Sequence, residues 1–475
     1  MSKLINTQKY STTFFVFILI TAWFLSDLGV DPDLFHRLAT GKLIDELGFV
    51  PSMDPFAFTP KKEIWIDHEW LSGLIFFKTW SLFGEIGIFL LKILLVFLSL
   101  LILEKAIRLK NKSTTATFWF IILSIASAFV WRSTVRSQIF TYLFIPTFLL
   151  AFVEYSEKKR IFLLSAIPVF ICIWANTHGG FVVGLGFLGI FTFVNLLKQK
   201  TRATPLTIIF LLAISATFIN PYPGFSYWEY IIEAVGMPRP FVAEWNYLNP
   251  LSHSAIIPNF VLIIILYGFF KHKTNRDLLS SLLLLASAYF GYKHQRLSPI
   301  FLMTAAVYGT KAFEYFILDL KSLFKQINFS GYLSASKFVF SVITCCAAIW
   351  ILYFSLTAKR FSLNYSDYPV EAVKWLKSNR KSGNVLVTFN HGSYALWELY
   401  PNFKVSVDGR YEEVYPESTM HLVMDAFWAE KKVQKKALLK INPDYILISN
   451  ADKNQFKSLK TIYKGLNFSI LENKL

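Results

Sequence analysis

The residues best suited to chemistry in this sequence are two carboxylates, Asp31 and Asp33, set around a proline, and three arginines, Arg132, Arg136 and Arg296. Guanidinium groups make bidentate, charge-assisted bonds to phosphate or pyrophosphate. A carboxylate facing such a phosphate can take the proton of an acceptor hydroxyl as general base, or hold a divalent cation. His36, His68, Glu69, Asn176, His178, Glu244 and His294 are further polar groups able to orient a substrate. The histidines show no HxxxH or HExxH spacing, which argues against a zinc site.

Each of these residues also has a purely structural use. Asp31 ahead of Pro32 is a natural cap for a helix that follows. Arg132 and Arg136, one helical turn apart, can anchor an interface by snorkelling. His178 beside Gly179 and Gly180 suits a tight turn, and Glu244 with Trp245 suits an anchor at a membrane surface. The chemical reading gains from their joint placement, because all of them fall on one side of the membrane once the elements that carry them are laid out.

Those elements are membrane spans. Of 475 residues, 54% are hydrophobic and only 17% charged, whereas a soluble domain carries about 25% charge. A soluble globule is excluded. The apolar runs predict eleven spans, at 12–27, 86–104, 115–131, 138–154, 161–175, 181–197, 205–220, 256–270, 278–292, 297–317 and 338–357. The first leads into Ser26-Asp27-Leu28 rather than a small-residue cleavage site, so it reads as an uncleaved span. The net charge of +17 belongs largely to loops around Lys105–Lys112, Lys158–Arg160, Lys198–Arg202, Lys271–Arg276 and Lys321–Lys325. Basic loops face the cytoplasm, which puts the N-terminus inside and the polar residues above outside. Nucleic acid is not an expected partner. Cys172, Cys345 and Cys346 all lie in apolar runs, with no metal-type spacing.

Two regions are not spans. Residues 28–85 form a first outer loop with two helix-like stretches, Asp33–Leu47 and Asp67–Phe83, each with one apolar face, as expected of helices lying in the interface plane. The chain thus divides into an all-α polytopic membrane domain, 1–358, and a small extracytoplasmic α/β domain, 359–475. In the latter, strands are predicted near 385–389, 404–407, 444–449 and 466–471, and helices near 369–379, 417–440 and 452–459.

The motifs in these regions resemble those of bacterial polytopic membrane proteins of the GT-C glycosyltransferase type, relatives of the polyprenyl-phosphate-sugar-dependent mannosyl and aminoarabinosyl transferases. They are Asp31-Pro-Asp33-Leu-Phe35 with Ala39-Thr-Gly41-Lys-Leu-Ile44, the segment Val50 to Thr59, and Trp65-Ile-Asp-His68-Glu69-Trp-Leu71. Trp174-Ala-Asn176-Thr-His178-Gly-Gly180, Asn220-Pro-Tyr222, Glu244-Trp245, Gly392-Ser-Tyr394 and Lys404-Val-Ser-Val-Asp408-Gly409-Arg410 complete the set. The resemblance implies inverting transfer of a sugar from a polyprenyl-phosphate donor, with an essential acid in the first outer loop. Asp33 is the best positional match for that acid and Asp31 the next. The substrate-binding candidates are His36, His68, Glu69, Arg132, Arg136, Asn176, His178, Glu244, His294 and Arg296.

The expected partners are therefore the lipid-linked sugar, an acceptor glycan, lipid or protein, and membrane lipids; a divalent cation is the one cofactor the carboxylates suggest. The expected location is the bacterial inner membrane. Two rival readings stand beside this one: a polymerase or ligase of lipid-linked glycans, and a non-enzymatic transporter of a lipid-linked sugar. A transporter would place polar residues and broken helices at the bilayer midplane, whereas here the centres of the spans are mostly apolar.

Overall fold

A computed structural model describes residues 31–111, 135–198, 203–237, 239, 242–326, 365–456 and 458–473. The expected spans at 12–27, 115–131 and 338–357 lie outside the described residues.

Helix α1, Pro32–Leu47, starts where its sequence dictates. Asp31 accepts the Asp33 N–H at 3.0 Å, Pro32 takes the first position, and Gly48 in left-handed conformation ends the helix. The sequence predicts a helix lying in the interface plane, but the structure encloses it. Leu34 through Gly41 are all buried, because α2 covers one side and the tail domain the other. Phe35 sits among Tyr365, Tyr368 and Tyr394 of the tail, with ring centroids 4.9–6.1 Å away. Burying a phenyl ring in this way contributes roughly 1.5–3 kcal/mol. A β-carbon on Gly41 would fall 2.1 Å from the Gly73 carbonyl oxygen, so the A-x-G-x-x-I motif marks a crossing of α1 and α2 that only glycine permits.

Helix α2, Trp70–Asn111, begins later than the predicted Asp67 and runs on through the second expected span, interrupted at Gly84 where φ is 61° and ψ −150°. After it come α3 (Gln138–Lys158), α4 (Phe162–Ser165), α5 (Ile167–Thr177), α6 (Phe181–Lys198) and α7 (Ala203–Ala216). Helix α8 (Ser226–Gly236) lies in the outer loop and precedes α9 (Ile256–Lys271), α10 (Leu278–Lys293), α11 (Ser298–Tyr308) and α12 (Thr310–Gln326). Two predicted spans are thus broken: 161–175 between α4 and α5, ahead of Pro168, and 297–317 between α11 and α12 at Gly309. Among the described residues, four helices are long and apolar enough to cross a membrane: α2, α3, α6 and the stretch His253–Lys271. The count of eleven is not reproduced on that criterion, since α5, α7 and α10 are apolar but shorter.

The tail comprises α13 (Val370–Asn379), β1 (Gly383–Leu386), α14 (Phe389–Leu399), β2 (Phe403–Val405), α15 (Tyr411–Val414), α16 (Glu417–Trp428), α17 (Lys431–Ile441), β3 (Tyr445–Ser449), β4 (Lys460–Lys464) and β5 (Phe468–Glu472). The strands form one mixed sheet in the order β2-β1-β3-β5-β4, with β1 parallel to β2 and β3, and β5 antiparallel to β3 and β4. The predicted helix 417–440 is two helices, and Phe389, read as a strand end, opens α14.

The first outer loop and the tail are joined by backbone. Val405 on edge strand β2 donates to the Phe56 carbonyl at 3.1 Å and accepts from Phe58 N–H at 3.2 Å. This pairing covers an edge that would otherwise be open. Arg410 is fully buried between Asp408 and Asp54 and binds the two at 2.7 and 2.6 Å, so an ion pair also crosses the join.

Candidate active site

The join between loop, helix ends and tail assembles two clusters of charge. The first is centred on Arg37, in the second turn of α1. Its guanidinium meets Asp67, Glu413 at 2.6 Å and Glu69 at 3.2 Å, and it is 3% exposed. His68 lies between Glu413 (3.3 Å) and Glu69 (3.6 Å). Burial alone would lower its pKa, but the facing Glu413 and Glu69 raise it, favouring the imidazolium. Burial likewise works to raise Glu69, yet Arg37, His68 and His178 hold it down at about 2.

His178, after the end of α5, is fixed in one tautomer. Trp174 donates to the Thr141 hydroxyl, which donates to His178 Nδ1 at 2.7 Å, and the Gly180 N–H also points at Nδ1 from 2.9 Å. The proton is therefore on Nε2, which faces Glu69 at 3.7 Å. Burial, with Arg296 nearby, lowers its pKa to about 3 and keeps the ring neutral. His36 is neutral for the same reason: burial and then Arg37 bring it to about 3, and its Nδ1 lies 3.3 Å from Ser393 Oγ.

The second cluster is centred on Arg136, at the approach to α3. Its guanidinium bonds Asp31, reaches Glu244 at 2.9 and 3.2 Å, and lies 3.6 Å from Asp33. Asp31 is 5% exposed at its side chain, whereas Asp33 keeps 38%. Removal from bulk water pushes Asp33 up to about 7; Arg136 opposes that rise, and Asp31 and Glu69 add to it. Water reaching the open face of Asp33 damps the shift without changing its direction.

Arg296 stands beside this cluster with few bonds of its own. Among the described residues its charge is met by Glu244 at 3.9 Å and by the Trp245 ring face at 4.6 Å. Burial and the neighbouring Arg136 lower its pKa, the mark of a cation short of counter-charge. The Trp245 ring also meets Arg239, 4.1 Å from its centroid, which in turn binds Glu412 of the tail at 2.5 Å. His294 Nδ1 donates to the Trp245 carbonyl at 2.8 Å, leaving Nε2 as the ring's acceptor.

Most of the residues expected from sequence therefore meet in one neighbourhood. Asn176 is the exception in kind. Its oxygen accepts from Trp70 Nε1 at 2.7 Å and its amide donates to the Cys172 and Ile219 carbonyls at 2.8 and 2.9 Å. It is a strut between α2, α5 and the end of α7, with both N–H groups engaged within the protein. Arg132 lies outside the described residues. Glu412, Glu413 and Arg239 were not anticipated. The only sequence signal was Asp408-Gly409-Arg410 itself, which runs straight into Tyr411-Glu412-Glu413.

No family model matches the sequence, and no curated protein matches it either. Solved structures do match. An oligosaccharyltransferase from Archaeoglobus fulgidus in its apo form superposes with a TM-score of 0.60 at 12% identity, over 91% of this chain and 69% of that one. The same enzyme in complex with zinc and sulfate gives 0.57 at 14% identity, over 91% and 68%. ArnT from Cupriavidus metallidurans, also apo, gives 0.55 at 12% identity over 98% of both chains. The chain shares the fold of these solved structures. The likeness expected from the motifs thus holds for the fold, in which Asp31 and Asp33 stand at the start of the first described helix.

The carboxylates do not offer a ready metal site. Arg136 fills the space between Asp31, Asp33 and Glu244, and among the described residues no three His, Cys, Asp or Glu side chains are placed to hold an ion.

Proposed function

We propose that this protein is an integral-membrane glycosyltransferase that moves a sugar from a polyprenyl-phosphate carrier to an acceptor hydroxyl, with inversion at the anomeric carbon. The observation that carries the reading is the contrast between Asp33 and its neighbours. It is the accessible carboxylate of the second cluster, and its raised pKa suits a general base working near neutrality. The acceptor oxygen gives its proton to Asp33 and attacks the anomeric carbon. The bond from that carbon to the phosphate oxygen breaks, and the electron pair leaves on the phosphate.

Arg296, the guanidinium least occupied by carboxylates, is suited to receive the phosphate, with Arg136 beside it. Asp31 is already engaged as helix cap and Arg136 partner, so its part is to hold that arginine in place. His68, Glu69, His178 and Glu244 line the approach, and His294 Nε2 offers an acceptor to a sugar hydroxyl. The donor set does not favour a divalent cation, and no step here uses one. The likeness to an oligosaccharyltransferase and to ArnT supports transferase chemistry over transport, as does the placing of charge at helix ends rather than at mid-span.

On this reading the protein sits in a bacterial inner membrane with its N-terminus cytoplasmic and the tail outside. The test is Asp33→Asn, which keeps volume and removes the base. Transfer of labelled sugar in isolated membranes is expected to fall by about 10²–10⁴-fold, the usual contribution of a general base. Full activity in that variant would end the assignment. A C-terminal reporter that is active only in the cytoplasm would overturn the topology.

A further inference from the structure

The tail motif Asp408-Gly409-Arg410 has no part in the chemistry above, yet it lies against the residue that carries it. A β-carbon built on Gly409 would stand 3.0 Å from Asp33 Oδ1, 2.7 Å from His36 Nδ1 and 2.9 Å from Ser393 Oγ. The backbone at Gly409 is not in the left-handed region, so its conformation does not call for glycine. Space does. On its flanks the turn is held rigidly: Gly409 N–H donates to Ser393 Oγ at 2.9 Å, and Asp408 grips buried Arg410 through Nε at 2.8 Å and Nη2 at 2.7 Å. Tyr415 adds a hydroxyl bond to Asp408 at 2.5 Å. The Ser393 hydroxyl, taken as acceptor by Gly409, has its own proton free for His36.

We propose that the turn Asp408–Arg410 of the tail is a positioning element of the site, whose bare backbone at Gly409 sets the room in which the Asp33 carboxylate sits. The tail is then a working wall of the site rather than an appendage. The inference rests on the reading of Asp33 as the base, but its test reads the placement of the carboxyl and not catalysis. The charged groups facing that carboxyl are Arg136, Asp31, Glu69 and Arg37. A methyl group at 409 drives Asp33 away from the turn and toward Arg136. Closer contact with a guanidinium favours the carboxylate over the acid, and at pH 8 and above one unit of pKa cuts the protonated fraction about tenfold.

The probe is dicyclohexylcarbodiimide, which modifies protonated carboxyls in apolar surroundings, applied to the full chain in nanodiscs and read residue by residue by mass spectrometry. At pH 8, Gly409→Ala is expected to slow modification of Asp33 about tenfold, with the other carboxyls that the reagent labels in the parent modified at the parent rate. Ser393→Ala, which frees the turn without adding bulk, is expected to speed it. Asp33 modified at the parent rate or faster in Gly409→Ala overturns the proposal. If Gly409→Ala fails to fold, Ser393→Ala decides, and a parent rate there overturns it. Because Asp33→Asn is judged by transfer alone, the base assignment and the positioning role can fail independently.

Discussion

Arg37 and Arg136 begin from the same chemistry and end in opposite states. Arg37 is buried, with Nη1 and Nη2 bonded to Asp67 and Glu413 and Nε facing Glu69 at 3.2 Å. The Arg136 cluster keeps Asp33 accessible and leaves Arg296 under-compensated. The Arg37 cluster, closed by the tail, contributes to how parts are held together, because its charges meet across the join between loop and tail. In the open one Arg296 meets the Glu244 carboxylate only at 3.9 Å, and on the proposed reading a phosphate is the anion it suits. The partner chosen by each arginine shows the division: Arg37 is tied to Glu413 of the tail, while Arg136 is tied to Glu244 of the outer loop.

The sharpest way to break this comparison is to remove Arg37. Arg37→Met leaves buried carboxylates without their counter-charge, and stability is expected to fall by about 3–5 kcal/mol. Thermal unfolding in detergent and protease release of the tail would show it. A variant as stable as the parent would mean that the closed cluster is not a structural joint.

Next in size is Arg296→Lys, which keeps charge but loses the planar fork. The apparent donor KM is expected to rise about tenfold, the equivalent of 1.4 kcal/mol. The same exchange should leave thermal stability nearly unchanged. Superimposed donor curves for variant and parent would remove Arg296 from phosphate binding.

Acid separates the clusters by pH. His36 and His178, lowered to about 3 in the folded protein, and Glu69, lowered to about 2, all bind protons more readily once unfolded. Their contribution is complete above the unfolded values of about 6.5 for histidine and 4.3 for glutamate, and is lost as pH falls toward the folded ones. Stability is therefore expected to decline progressively below about pH 6.5. Transfer should fail earlier, since Asp33 must be ionised to act and takes up its proton near 7. An acid limb of activity that merely followed the unfolding curve would contradict this order.

The smallest effect has the opposite sign. A carboxylate whose pKa is raised on folding disfavours the folded state once pH rises through that value. Asp33→Asn is thus expected to raise the melting temperature slightly at pH 8 while removing activity. A drop in stability there would recast Asp33 as a structural residue.

Much of the open cluster was legible in sequence. Asp31-Pro-Asp33 announced both a helix start and a carboxylate pair, and charge alternation set Arg136, Glu244 and Arg296 on the same side. The closed cluster was legible only in part: His68, Glu69 and His178 stand among the sequence candidates, but Glu413 reaches Arg37 across 376 positions and nothing periodic encodes so distant a contact. The same distance hid the fate of α1. Its apolar face was read correctly, but the tail that covers its other side could not be placed. Strand β4 escaped because Lys460-Thr-Ile-Tyr-Lys464 lies at the sheet edge, with its two terminal lysines exposed and no strong apolar alternation. Asn176 had the right location and chemistry for a ligand, and only the hydrogen bonds of the folded chain show it occupied.

The meeting of Asp33 with Gly409 and of Arg37 with Glu413 also sets a schedule. A ribosome that has just delivered the helix Pro32–Leu47 has made Asp33 and Arg37, and more than three hundred residues are still to come. Until the strand bearing Val405 pairs beside Phe56 and the turn after it closes over Asp33, the nascent chain carries half a site. The Arg37 cluster and the wall beside Asp33 therefore exist only once the tail has folded back onto the first loop.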